Sequence, residues 1–326
     1  MHTLKLRYVL PFLTAAALFS CNQAPKQQQI TETASEVEAN APVKLSLAQW
    51  SLHRAIRSGE MSPYDFAAQA KELGFQGLEY VNQLYTDVVR AEDKKAAIAD
   101  FVTKNNELAA QYGLQNVLIM IDGEGNLSSS DVQARTEAIE NHKLWIDAAS
   151  AMGCSAVRLN LYGEKDPELW KANSIESLSA LSAYAAPKGI NVLVENHGRI
   201  SSNAQALMGV INGVDAPNCG TLPDFGNFCI AEEGYGSVFD GSCTEVYDIY
   251  QGVEELMPKA MALSAKSNDF DENGNETFID YERMLRIAKS AGYDGFIGVE
   301  YEGSRLSEIE GIKATRDLLV KASASL

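Results

Sequence analysis

From residue 43 onward the chain repeats one unit: a short apolar run, an amphipathic stretch, and a glycine that ends it. Apolar runs at 44–49, 77–80, 116–121, 156–160, 191–195, 219–222, 260–264 and 296–300 read as strands. Helical periodicity fills 63–73, 91–112, 130–152, 175–187, 202–210 and 281–291. Gly74, Gly113, Gly153, Gly189 and Gly292 stand just past those stretches, where a glycine closes a helix most easily. Eight such units in about 280 residues match a (β/α)8 TIM barrel. The rival, an open doubly wound sheet, usually carries a glycine-rich phosphate loop after its first strand. Here that strand runs into Gln49-Trp50-Ser51-Leu52-His53 instead. The expectation is an α/β barrel over residues 43–326, with its chemistry where strands end and βα loops begin.

The residues before the barrel belong to a different kind of segment. Lys5 and Arg7 precede an apolar run, 8–19, broken only by Thr14 and too short to span a bilayer comfortably. It ends in Leu18-Phe19-Ser20-Cys21, which resembles the lipobox of bacterial lipoproteins. That resemblance implies a signal peptide over 1–20, cleavage before Cys21 and a lipid on Cys21. The protein is then exported and lipid-anchored to a bacterial membrane, on the periplasmic side. Residues 21–42, rich in Gln, Glu, Thr, Ala and Pro, read as a flexible tether.

The formal charge is −17, and losing Lys5 and Arg7 makes it about −19. Such an excess argues against nucleic acid or an anionic membrane surface as partner. Membrane contact is expected through the lipid anchor only, and a small neutral ligand fits best. Cys154, Cys219, Cys229 and Cys243 show no CxxC spacing, so a cysteine zinc site is not expected. Export permits a 219–229 or a 229–243 disulfide. Buried free thiols are the preferred reading.

The polar residues at strand ends carry the chemistry. The fifth run ends Val194-Glu195-Asn196-His197-Gly198, and positions two apart on a strand share a face, so Glu195 and His197 point together. The sixth leads to Asp224-Phe225-Gly226-Asn227, the eighth to Val299-Glu300-Tyr301-Glu302-Gly303. A carboxylate at the end of an apolar strand is costly unless a cation or a proton meets it. Any one of the three could be explained by a cap or a surface ion pair; all three together point to a site.

Taken in order, these three motifs resemble the xylose-isomerase-like barrels, the sugar phosphate isomerase and epimerase family, over residues 43–320. The resemblance implies a divalent metal on Glu195, Asp224 and Glu300, with Glu195 and Glu300 also moving protons. The family adds a strand-seven His-x-Lys. Here it reads Ser264-Ala265-Lys266, so Lys266 matches while a hydroxyl replaces the imidazole. Three carboxylates without imidazole suit Mn2+ or Mg2+ better than Zn2+. Asn227 is a second departure, standing where some epimerases of the family place a substrate-binding histidine.

Removing a proton beside a carbonyl makes an enediolate, which a metal or Lys266 can stabilise. Two carboxylates on opposite faces can remove the proton from one side and return it on the other. His197, Lys266, Glu79 and His53 are the candidate substrate contacts. His142, inside a helical pattern, reads as a surface residue. Asp269-Phe270-Asp271-Glu272-Asn273-Gly274, with Asp280 at the twelfth place, imitates the start of a calcium loop. The run before it reads as strand rather than entering helix, so a surface βα loop near the site is expected.

An exported lipoprotein rarely meets sugar phosphates, and no arginine cluster marks a phosphate subsite. The leading reading is an isomerase or epimerase acting on a non-phosphorylated sugar or keto-sugar. A lyase or hydratase of 3-keto-glycosides would use the same carbanion. A sugar-binding lipoprotein without turnover is the reading from another class; Ser264 favours it, and the paired Glu195 and Glu300 oppose it.

Overall fold

The computed structural model describes residues 43–231, 236–239, 241 and 243–326. The expected signal peptide, Cys21 and the tether lie outside the described residues.

Eight strands form one parallel sheet: β1 Lys44–Ala48, β2 Gly77–Val81, β3 Gln115–Ile121, β4 Ala156–Leu159, β5 Asn191–Glu195, β6 Cys219–Leu222, β7 Leu263–Ser267 and β8 Phe296–Tyr301. They lie in the order β6-β5-β4-β3-β2-β1-β8-β7. Two parallel bridges, Thr221 with Ala260 and Asp224 with Ser264, join β6 to β7 and close the ring. The fold is the (β/α)8 TIM barrel that the repeat pattern implies. The strands are buried along almost their whole length, as parallel strands covered by helices must be.

The helices start where side chains can cap them. Asp131, Asp166, Asn203, Asp248, Asp280 and Ser307 each accept a backbone N–H from the first turn that follows. Asp166 followed by Pro167 begins the helix Pro167–Ala185, eight residues ahead of the start expected from periodicity alone. Helices Ile249–Leu256 and Glu308–Ala324 complete the outer layer. Strand β7 lies three residues later than the expected 260–264. Ala260 makes only an isolated bridge, while Lys266 and Ser267 belong to the ladder with β8.

Two expectations are corrected. Cys229 and Cys243 form a disulfide, while Cys154 and Cys219 are the buried free thiols. The bond ties together two ends of the long β6–α loop, whose early residues enter the site described below. His142 is buried, not on the surface: its Nδ1 meets the Ala138 carbonyl at 2.7 Å, a bond that satisfies the ring inside the helix layer. The acidic loop after β7 is an exposed βα loop, as expected, held by its own side chains. The Glu276 carboxylate accepts backbone N–H bonds from Asn268, Asp269, Phe278 and Ile279, and Asp269 pairs with Arg305.

Candidate active site

Inside the ring, β1, β2 and β8 bring Ser46, Glu79 and Gly298 together. Glu79 is fully buried, and Ser46 donates its hydroxyl to Glu79 Oε1 at 2.5 Å. A Cβ at position 298 would come within 2.5 Å of Glu79 Oε2, so the glycine there makes room for the carboxyl. Oε2 has no partner. Burial, despite the Ser46 bond, pushes the Glu79 pKa up to about 8. At neutral pH this is a carboxylic acid rather than a carboxylate.

One wall of the mouth is built on β3, β4 and β5 around Arg158. This residue sits inside an otherwise apolar strand, Ala-Val-Arg-Leu, and is 4% exposed. Its Nη1 donates to Asp122 Oδ1 at 2.8 Å, and its Nε lies 2.8 Å from Glu195 Oε2. The second approach is an ion pair without hydrogen-bond alignment, since neither atom counts as hydrogen-bonded. Asn160 and Gln83 also donate to Asp122, at 2.9 and 3.3 Å. Burial works against the Asp122 charge, but Arg158 outweighs it and holds the pKa below the usual carboxylate value. Glu195 differs: burial raises it to about 7 in spite of Arg158, with Glu300 adding to the rise.

The other wall spans β6, β7 and β8 around Lys266. Asp224 Oδ1 accepts the backbone N–H groups of Gly226 and Asn227, at 2.8 and 2.7 Å, which folds the Asp-Phe-Gly-Asn segment into a tight turn. Asn196 clamps that turn from β5: its Nδ2 donates to the Asp224 and Asn227 carbonyls, and its Oδ1 accepts the Asp224 N–H. Gly226 is required there because a Cβ would stand 2.9 Å from the Phe239 ring and 3.2 Å from the Lys266 stem. Ser264 donates to Asp224 Oδ2 at 2.6 Å and stands 3.3 Å from Glu300 Oε2. The buried Lys266 ammonium lies 3.1 Å from Glu300 and from Glu302, 3.9 Å from Asp224 and 3.4 Å from Asn227 Oδ1. Burial would lower the Lys266 pKa, but Asp224, Glu300 and Glu302 more than reverse it. Burial raises Asp224 to about 7 against the pull of Lys266.

Asn227 joins the walls. Its Nδ2 donates to Glu195 Oε1 at 2.9 Å while its Oδ1 faces Lys266. Glu195, Asp224, Glu300 and Lys266 therefore converge on one cluster. The cavity above it is narrow, about 80 Å3, smaller than most small-molecule sites, and its lining includes Trp50, Asp122, Arg158, Lys266, Glu300 and Glu302. His197 stands at its edge with Asn227, hydrogen-bonded to the Tyr162 hydroxyl. It also borders a second hollow formed with Asn126, Tyr162, Glu164 and Lys165. His53 is not in the lining. It stacks on Trp50 with ring centres 4.6 Å apart and supports that indole, whose Nε1 donates to Glu302. Glu79 lies outside the lining as well, and Glu195 and Asp224 lie buried just beneath it, behind Arg158, Asn227 and Lys266.

Sequence reasoning missed Arg158, Asp122, Glu302 and Trp50. Arg158 left a signal: a charged residue in the middle of a short apolar strand has to meet buried counter-charge.

The side chains present do not fit a divalent ion. Glu195 is engaged by Arg158 and Asn227, and Asp224 by two backbone N–H groups and a hydroxyl. A weak neutral ligand, Ser264, replaces the imidazole, and an ammonium stands among the remaining oxygens. Among the described residues no three Asp, Glu, His or Cys side chains are arranged to hold a metal ion. The expected Mn2+ or Mg2+ on Glu195, Asp224 and Glu300 therefore has no free donor set.

Comparison with known proteins bears on the fold. A 55-residue segment, 17% of this chain, is 36% identical to the C-glycoside deglycosidase alpha subunit of Arthrobacter globiformis and spans 16% of that protein's length. Among solved structures, L-ribulose 3-epimerase aligns with a TM-score of 0.65 and 14% identity, covering 87% of this chain and 95% of that one. The 3-keto-D-glucoside 4-epimerase of E. coli aligns at 0.62 and 12%, covering 86% and 99%. The IolI protein, solved with a zinc atom, aligns at 0.61 and 15%, covering 87% and 99%. At such identities these likenesses establish the fold. The family model for the xylose isomerase-like TIM barrel matches residues 67–322, and the chain belongs to that family.

Proposed function

We propose that this protein is an exported enzyme that abstracts a proton next to the carbonyl of a non-phosphorylated sugar or keto-sugar, acting as an epimerase or isomerase. One observation carries the reading. Two carboxylates three strands apart, Glu195 on β5 and Glu300 on β8, belong to one cluster and are each held against their own cation. Binding alone needs no such pair; two-sided proton transfer does. With Glu195 raised to about 7, its base and acid forms coexist near neutral pH, as a group that takes and returns a proton requires.

The step is balanced within the substrate and the two carboxyls. One carboxylate takes the proton from the carbon beside the carbonyl, forming O–H as C–H breaks. The electron pair moves into a C=C bond and onto the carbonyl oxygen. Reprotonation from the other carboxyl, on the opposite face, inverts the centre; reprotonation at the former carbonyl carbon, with the neighbouring hydroxyl's proton passing to the former carbonyl oxygen, shifts the carbonyl. Arg158 and Lys266 line the cavity where the charge on oxygen develops. His197, held by Tyr162, is placed at the edge for a substrate hydroxyl. Asp122, Glu300 and Glu302 in the lining disfavour a phosphate dianion, and the two cations beside them are already paired.

The second reading, β-elimination from a 3-keto-glycoside, is favoured by the segment shared with a C-glycoside deglycosidase and by the second hollow beyond His197, which offers room for a leaving group. The Cys21 lipid anchor and an extracytoplasmic site of action belong to this proposal, and the Cys229–Cys243 disulfide supports an oxidising compartment. Nucleic acid is not among the partners proposed. Incubation with ketoses and 3-keto-glycosides in D2O, followed by NMR, tests all three readings. Deuterium at the carbon beside the carbonyl marks the enzyme, and released aglycone marks the lyase. No exchange across the panel would leave a sugar-binding protein.

A further inference from the structure

We propose that Arg158 and Lys266 stand in the place of a divalent ion, so that the protein needs no metal for its fold or its chemistry. The inference rests on the reading of this cluster as a proton-transfer site and says which charges serve it.

The substitution is visible residue by residue. At the position where the family resemblance puts an imidazole, the Ser264 hydroxyl is committed to Asp224 at 2.6 Å. Its backbone is committed too: Ser264 N donates to the Pro223 carbonyl and Phe225 N donates to the Ser264 carbonyl, both at 3.0 Å. Ser264 thus works as a fastener of the β6–β7 junction. Asp224 has its oxygens filled by two N–H groups and that hydroxyl. The Glu195 oxygens face Arg158 Nε at 2.8 Å and Asn227 Nδ2 at 2.9 Å. Glu300 directs Oε1 at Lys266, 3.1 Å away, and Oε2 at the Ser264 hydroxyl.

Both cations are in position to replace what an ion supplies. A divalent ion in such a site neutralises buried carboxylates and polarises the substrate oxygen. Arg158 and Lys266, at 4% and 1% exposure, each pair with the carboxylates of one wall, and both border the cavity. A carbonyl oxygen that gains charge as its neighbouring C–H is broken would face the field of both cations in the cavity lining. No electron leaves the substrate, so no redox partner is needed.

An ammonium among carboxylates and a metal among the same carboxylates exclude each other, which makes the inference testable without a substrate. The readouts are the metal content of the purified full chain and its melting temperature with Mn2+, Mg2+, Co2+ or Zn2+ against EDTA, so their outcome stands apart from whether the sugar chemistry is right. Wild type should hold no stoichiometric metal, and its melting temperature should move with neither metal nor chelator. Lys266→Met vacates the space among Asp224, Glu300 and Glu302, and Mn2+ should then raise its melting temperature by several degrees, reversibly with EDTA. Ser264→His, which supplies the missing imidazole, should gain metal in the same way. One equivalent of metal in wild type, or an EDTA-sensitive melting temperature, would overturn the proposal. So would a folded Lys266→Met that stays indifferent to all four ions, because the ammonium would then not occupy a metal's place. If neither variant folds, the wild-type measurements decide alone.

Discussion

The two walls of the site hold their cations differently. Arg158 sits on an unbroken ladder, where β4 pairs with β3 and β5 over four residues each, and its planar head is fixed by Asp122 and Glu195. Lys266 sits beside the junction where β6 and β7 meet through only two bridges, and its ammonium is shared among three carboxylates and an amide at 3.1–3.9 Å. A guanidinium in a fork is a fixed charge; a shared ammonium is an adjustable one. The difference teaches that one wall sets the field of the site while the other can follow a moving proton.

The comparison breaks first if the two cations prove interchangeable. Arg158→Met leaves the buried Glu195 and the partly buried Asp122 without their cation and should cost about 3–5 kcal/mol in urea unfolding at pH 7. Lys266→Met, in metal-free buffer, should cost less, about 1–3 kcal/mol, because Asp224, already raised to about 7, can take up a proton instead. Acids whose folded pKa is raised keep their stability contribution below the unfolded value and lose it as pH rises. The Lys266→Met deficit should therefore be largest near pH 8 and smallest near pH 5; an equal deficit at both would refute the adjustable wall.

Glu79 applies the same sign to wild type. With its folded pKa at about 8, its contribution is present below pH 4.5 and lost as pH climbs to 8. Glu79→Gln does not titrate, so its unfolding free energy should fall less between pH 5 and pH 8, by roughly 3 kcal/mol. The smallest effect belongs to the junction: Ser264→Ala removes the hydroxyl bonded to Asp224 and should cost about 1 kcal/mol. A loss as large as that from Arg158→Met would mean the β6–β7 junction, not the continuous ladder, holds the site together.

How much of this could be read from the sequence follows from periodicity. Strands and helices repeat with fixed spacing, so the barrel and the strand ends bearing Glu195, Asp224 and Glu300 were legible. Lys266 was found through its motif, although β7 itself lies three residues later than its apolar run suggested. Arg158 and Asp122 were not found, because their meaning lies in a contact across two strands that no local spacing records. His142 was misplaced for a related reason: in a helix that packs on both strands and neighbouring helices, one ring can be buried if a backbone carbonyl satisfies it. The 229–243 disulfide was one of two pairings the spacing allowed, and only the folded loop chose between them.

The most direct measurement is deuterium exchange at the carbon beside the carbonyl of an exchanging sugar, compared among wild type, Glu195→Gln and Glu300→Gln. The account predicts exchange by wild type and a drop of about 100-fold or more in each variant, as loss of a general base or acid produces, with melting temperatures that show both folded. Exchange at wild-type rates in either folded variant would contradict a mechanism in which these two side chains carry the proton.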